Sequence, residues 1–258
     1  MLFDTHCHLD ASHFPDGADD VLERARSAGV GHFTVIGVGS LETARAAVAL
    51  AERRADVTAT VGVHPHDAST LDPALESELG ELLTRERVRA LGEVGLDYHY
   101  EHSPRDVQRE VFRRMVALAR SAKKPLVIHT RSAPDETLEV LEAEGARDVG
   151  GIIHCFSEDR RFATRALELG FYLSFSGILT FKNAHAIHDV ARFAPADRIL
   201  VETDSPYLAP VPLRGKKCEP AFVVHTAKRL AELRGVPLGE METATTENAA
   251  RVFGVVLA

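Results

Sequence analysis

Eight short apolar runs, each followed by a longer amphipathic segment, predict an α/β fold of the (β/α)8 kind for this chain of 258 residues. Two further observations support that class. Most of the runs are apolar almost throughout, as parallel strands covered on both faces are. The turn after the first run reads Thr5-His6-Cys7-His8. An open doubly wound sheet, the competing class, would want a Gly-rich phosphate turn there.

The elements follow in order. Strands are expected at 2–5, 32–38, 58–63, 89–93, 126–128, 151–153, 171–175 and 199–201. Helical spacing marks 18–28 and 41–54 after the first two strands. The segment 73–84 opens on Pro73, which a first helical turn tolerates. The segment 105–122 begins just after Pro104 and places Val107, Val111, Met115 and Leu118 on one face. Segment 135–143 stops before Gly145, and 159–169 stops at Gly170. Segments 184–193 and 222–233 complete the alternation, and a last helix near 243–253 closes it. With no repeat, linker or low-complexity stretch, residues 1–258 read as a single (β/α)8 TIM-barrel domain. The stretch 205–220 carries Pro206, Pro210, Pro212 and Pro220, so it cannot be helical throughout. It reads as an active-site loop.

Composition narrows the function classes. Lys plus Arg is 30 and Asp plus Glu is 38, a net charge of −8, which argues against a general nucleic-acid coat. Three cysteines are too few for a disulfide framework and suit a reducing compartment. The start lacks the basic and apolar segments of a signal peptide, and no run approaches the ~18 apolar residues of a membrane helix. The expectation is a cytoplasmic protein with no membrane contact and no obligate protein partner.

Placing the polar residues on this map is more informative. His6 and His8 follow the first strand, and His64 follows the third. Glu93 ends the fourth, His129 and His154 follow the fifth and sixth, and Asp204 lies just past the eighth. In a barrel all of these share the carboxyl face, where active sites form. His6 and His8 are two apart, so in extended backbone both imidazoles face the same way and Cys7 faces the other. Imidazoles with carboxylates suit zinc, manganese, iron or cobalt, and suit magnesium less. Two ions need a bridging ligand. No lysine stands at a strand end to be carboxylated, which leaves Glu93 as the natural bridge. Competing chemistries lack their motifs: there is no GxSxG and no P-loop. His185 and His188 read as surface residues, and His32 as structural.

Six stretches carry a family resemblance: FDTHCHLD at 3–10, VGVHPH at 61–66, GEVGLDY at 92–98, VIHTR at 127–131, IIHCFS at 152–157 and ETDSPYLAPVPLRGKKCEP at 202–220. Together and in this order they resemble the TatD family of metal-dependent deoxyribonucleases, within the amidohydrolase-like barrels. The resemblance implies that His6, His8, Glu93 and Asp204 hold one divalent ion and that Glu93, His129 and His154 hold a second. It implies that His64 lies close by and faces substrate phosphate. Leu213 and Cys218 stand where an aromatic or basic residue is expected, so substrate preference stays open.

The mechanism expected from this set is attack by a hydroxide bridging the two ions, with Glu93 and Asp204 as the catalytic carboxylates and Asp204 able to take the nucleophile's proton. His64, Arg131, Arg214, Lys216 and Lys217 are the expected phosphate contacts. The leading activity is cleavage of DNA phosphodiester bonds, 3′–5′ exonuclease-like. The alternatives are an ester or amide hydrolase, including aminoacyl-tRNA deacylation, and a metal-stabilised binding protein without activity.

Overall fold

A computed structural model describes residues 1–256. Eight strands form one sheet in the order of the chain. They are β1 (Leu2–Cys7), β2 (Val30–Gly37), β3 (Val57–Val61), β4 (Val88–Asp97), β5 (Leu126–Arg131), β6 (Gly151–Ile153), β7 (Phe171–Phe175) and β8 (Ile199–Val201). The helices are α1 (Ala18–Ser27), α2 (Leu41–Arg53), α3 (Pro73–Leu83), α4 (Arg105–Ala122), α5 (Pro134–Ala143), α6 (Arg160–Glu168), α7 (His185–Phe193), α8 (Val223–Arg234) and α9 (Leu238–Phe253). A helix follows each strand, with α9 added after α8, and the class is the expected (β/α)8 barrel. Among the described residues, no helix is long and apolar enough to cross a membrane.

Local chemistry sets many of the boundaries. Ser40 caps α2 by accepting the Thr43 amide at 3.1 Å, and Asp72 caps α3 by accepting the Leu75 amide at 2.7 Å. Gly235 and Gly254 end α8 and α9 in the left-handed conformation, at φ 66° and 60°. α9 starts five residues before the expected 243, because Pro237 sets the entry and polar residues in the first turns dilute the apolar period.

Two compact units divide the chain. The first comprises Met1–Val35, His154–Ala163 and the residues from Tyr172 onward; the second comprises Ile36–Ile153 and Thr164–Phe171. In the first, Phe3 on β1 is buried, stacks on Phe253 of α9 at 5.7 Å and tilts against His32 at 4.5 Å. Burial of such a ring contributes roughly 1.5–3 kcal/mol. His32 is thus the structural residue expected of it. Past β8, the backbone keeps pairing with the end of β1: the Asp204 amide donates to the His6 carbonyl at 3.0 Å, and the His8 amide to the Ser205 carbonyl at 2.8 Å.

In the second unit, β3, β4, β5 and β6 are consecutive parallel neighbours. A Cβ on Gly95 of β4, which lies at φ 144°, would collide with the His129 carbonyl of β5. Only glycine permits that close approach.

Four expectations change. β4 runs on to Asp97, so Glu93 lies in mid-strand and does not end it. β1 and β5 likewise extend past their expected ends and contain His6 and His129. The buried face of α4 is Gln108, Val111, Phe112, Met115, Val116 and Ala119, leaving Val107 and Leu118 half-buried. A polar residue joins this stripe because the Gln108 side chain is satisfied: it accepts the Asp97 amide at 2.8 Å and donates to the Asp97 and Ser103 carbonyls. His188 is buried, with its Nε2 2.8 Å from the Leu179 carbonyl oxygen, so it is a core residue and not a surface one. His185 opens α7 and is exposed.

Candidate metal centre

In the first unit, β1 delivers His6 and the next extended residues deliver His8. Their Nε2 atoms lie 3.2 Å apart. Asp204 Oδ1 is 3.7 Å from His6 Nε2 and 3.6 Å from His8 Nε2. Asp204 sits at φ 57°, a conformation that Asp and Asn tolerate better than most residues. Burial works against its charge, but the hydrogen bond with His8 and the charges of His154, His6 and His8 outweigh it and hold the carboxyl below its ordinary range. Asp204 is therefore an anion at neutral pH.

The His154 ring stacks on His6, with centroids 3.8 Å apart and planes 14° from parallel. His154 Nδ1 lies 3.1 Å from Glu202 Oε1, which also accepts the Cys155 amide at 2.7 Å. The other oxygen of Glu202, Oε2, is buried without a hydrogen-bond partner. Behind them Asp4 accepts the Thr203 amide at 2.8 Å and the Thr203 hydroxyl at 2.6 Å. Burial pushes Asp4 up to about 8 against those two bonds. Cys7 and Cys218 are buried thiols pushed up by burial, which suits inert core residues.

In the second unit, Glu93 of β4 is buried and His129 of β5 places Nδ1 2.8 Å from its Oε1. His64, just past β3, brings Nε2 to 3.4 Å from the same oxygen. Burial lowers the pKa of His64, with His129 and His66 adding to it and Glu93 opposing, so it is a neutral imidazole at neutral pH.

Asp97, at the end of β4, ties this group together. Its Oδ2 lies 3.2 Å from His129 Nε2 and 2.9 Å from His66 Nε2, and its Oδ1 accepts the amides of His99 and Tyr100. Burial disfavours its charge, yet the bonds from His129, the Tyr100 amide and His66 hold it well below the usual carboxylate range. His129 thus has one nitrogen beside a prospective ligand and the other on a carboxylate, the arrangement that orients metal-binding histidines.

The donor sets suit a divalent cation. His6, His154 and Glu202 each offer one atom within 4.8 Å of the others, and so do His64, Glu93 and His129. Nitrogen with carboxylate oxygen, plus a buried carboxylate oxygen without a partner, is the chemistry such ions need.

Of the expected ligands, His6, His8, His154 and Asp204 lie in the first unit and Glu93 and His129 in the second; His154, expected beside His129, stacks on His6 and meets Glu202. His64, expected to face phosphate, joins the second group. Arg131 is exposed, with its guanidinium 4.7 Å from the centre of the Tyr100 ring. Arg214 lies over Phe181 at 4.2 Å and Lys217 over Phe14 at 3.9 Å, while Lys216 is exposed. Two residues escaped the reading of the sequence, Glu202 and Asp97. Asp97 stands four after Glu93 on the same strand, an even spacing that marks it, while Glu202 lies past β8 with Asp204 at φ 57°, so no strand period marks it.

Comparison with known proteins agrees with this chemistry. The sequence model of the TatD related DNase family matches residues 3–254. The metal-dependent hydrolase YabD of Bacillus subtilis (strain 168) is 42% identical over 255 residues, covering 99% of this chain and 100% of YabD. The metal-dependent hydrolase YcfH of Escherichia coli (strain K12) is 44% identical over 258 residues, covering 99% of this chain and 96% of YcfH. The crystal structure of YjjV, a TatD homologue from Escherichia coli K12, superposes with a TM-score of 0.91 at 28% identity, covering 99% of this chain and 98% of YjjV.

Proposed function

The chain belongs to the TatD-related family of metal-dependent hydrolases, and on that premise we propose that it cleaves DNA phosphodiester bonds, working inward from a 3′ end and using two divalent ions. The observation that carries this reading is the presence of an imidazole–carboxylate group in each unit. One is built on His6, His8, His154, Glu202 and Asp204, the other on His64, Glu93 and His129. Ions held there would lower the pKa of bound water and polarise a phosphoryl oxygen.

The side chains supply the rest. Asp204 is held anionic, so Oδ1 can serve as a ligand while Oδ2 takes a proton from the nucleophile. Glu93 Oε1 fixes the His129 and His64 rings from one point. His64, neutral, accepts the His66 amide on Nδ1 and turns Nε2 to Glu93, so it is proposed to lie beside the substrate phosphate without adding charge. Arg131, Arg214, Lys216 and Lys217 are the cations proposed for flanking phosphates. Three cysteines outside any disulfide suit the reducing cytoplasm, where we place the protein.

The test is a single-stranded oligodeoxynucleotide and a carboxylic ester assayed side by side with zinc, manganese, magnesium, iron or cobalt. The expected result is metal-dependent shortening of the oligonucleotide from its 3′ end. Turnover of the ester, or of an aminoacyl-tRNA, without phosphodiester cleavage would overturn the assignment.

A further inference from the structure

Between β4 and α4 the chain reads His99-Tyr100-Glu101-His102, three rings in four residues. We propose that Tyr100, His102 and Arg131 form a stacking platform for one nucleobase of a single-stranded polynucleotide, a subsite that rests on the DNA-hydrolase reading above.

The rings are held in place. Asp97 Oδ1 accepts the His99 amide at 2.9 Å and the Tyr100 amide at 3.0 Å. Buried Gln108 donates to the Asp97 and Ser103 carbonyls at 3.0 and 2.8 Å, and the Ser103 hydroxyl donates to the His66 carbonyl at 2.8 Å. Tyr100 and His102 lie 7° from parallel with centroids 5.6 Å apart. His66 meets Tyr100 edge-on at 89° and 5.6 Å, and meets His102 at 85° and 4.6 Å.

A ring fixed by this many neighbours would ordinarily be covered. Tyr100 is nevertheless 51% exposed, and His99, His102 and Arg131 are exposed as well. An ordered aromatic surface left in water is suited to receive another flat ring. The Arg131 guanidinium lies over the Tyr100 ring, 4.7 Å from its centroid, so an incoming base would share that ring with the cation or displace it toward its own phosphate. A ring beside a cation suits a flat ligand that carries a negative charge, as a nucleotide does. Stacking uses the π-face that every base has, so the platform should tolerate all four bases.

The platform is wired to the proposed metal group. Asp97 Oδ2 takes His66 at 2.9 Å and His129 at 3.2 Å, while Oδ1 of the same carboxylate holds the platform loop. A base seated on Tyr100 is thereby registered against the His129–Glu93 pair.

The experiment measures binding to a short phosphorothioate oligodeoxynucleotide, which resists cleavage, in three forms: normal, with one 2-aminopurine, and with abasic sites throughout. The unaltered protein should quench 2-aminopurine and bind the base-bearing strand on the order of 10-fold more tightly than the abasic one. Tyr100→Ala should abolish both effects and Tyr100→Phe should keep them, with thermal melts confirming that each variant is folded. Equal affinity for base-bearing and abasic strands, in a protein that still cleaves DNA, would sink the platform alone. Failure to bind or cleave any oligonucleotide would sink the functional reading and the platform with it.

Discussion

The two imidazole–carboxylate groups use the same residue types but differ in how much water reaches them. In the first unit the side chains of His6 and Glu202 are fully buried and that of His154 keeps 4% of its surface, while His8 and Asp204 keep 14% and 13%. In the second, the side chains of His64, His129 and His66 keep 15%, 17% and 29% of their surface. The first group crowds Asp4, Glu202 and Asp204 into a buried region, where uncompensated negative charge is costly. The second shares one buried carboxylate, Asp97, among two histidines and two loop amides. The more buried group is suited to holding an ion; the more open group is suited to meeting a substrate. Chemistry and recognition are therefore expected to separate between the two.

The largest expected effect breaks the more buried group. Asn keeps the shape of Asp204, one donor oxygen and the tolerance for φ 57°, but loses the charge and the basicity. Asp204→Asn should fold, keep the ion on the Glu93 side and bind substrate, yet lose at least roughly 10²-fold in kcat. Single-turnover rates at saturating metal, beside a thermal melt, test this. A variant that is less stable but equally fast would reduce Asp204 to a turn residue.

A smaller effect is expected in the more open group. Asp97→Asn can still accept the His99 and Tyr100 amides, but it presents an NH2 or a weaker acceptor to His66 and His129. Metal affinity on the Glu93–His129 side should fall by about 10- to 100-fold. The ion on the His6–His8 side should be unchanged. Metal titration followed by elemental analysis distinguishes the two, and equal loss from both groups would show that Asp97 does not act through His129.

The smallest effect is expected from the Pro-rich loop of the first unit. Arg214 and Lys217 already rest over Phe181 and Phe14, at 4.2 and 3.9 Å. Replacing Arg214, Lys216 and Lys217 together by Ala should weaken oligonucleotide binding a few-fold and flatten its dependence on salt. Cleavage of a small phosphodiester should change less. Equal losses on long and short substrates would show that the loop does not follow a polynucleotide backbone.

The sequence alone determined the alternation of strand and helix, because apolar period, caps and stops are local signals. β6, β7 and β8 have the expected bounds, and the helix ends move by at most two residues apart from the start of α9. It also marked His6, His8, Glu93, His129, His154 and Asp204, since ligand types recurring at strand ends stand out without any knowledge of contacts. Tertiary structure decided what those residues touch. Asp97 escaped notice because β4 seemed to stop at Glu93; only its pairing with β5 as far as Arg131 shows that the strand continues. Glu202 sits beside the found Asp204, but its bond to His154 joins residues 48 apart. His188 looked like a surface residue until the Leu179 carbonyl supplied a buried partner. Period and capping depend on neighbours along the chain. Ligand pairing and burial depend on which strand ends and loops are brought together, and that information is carried by the whole sheet.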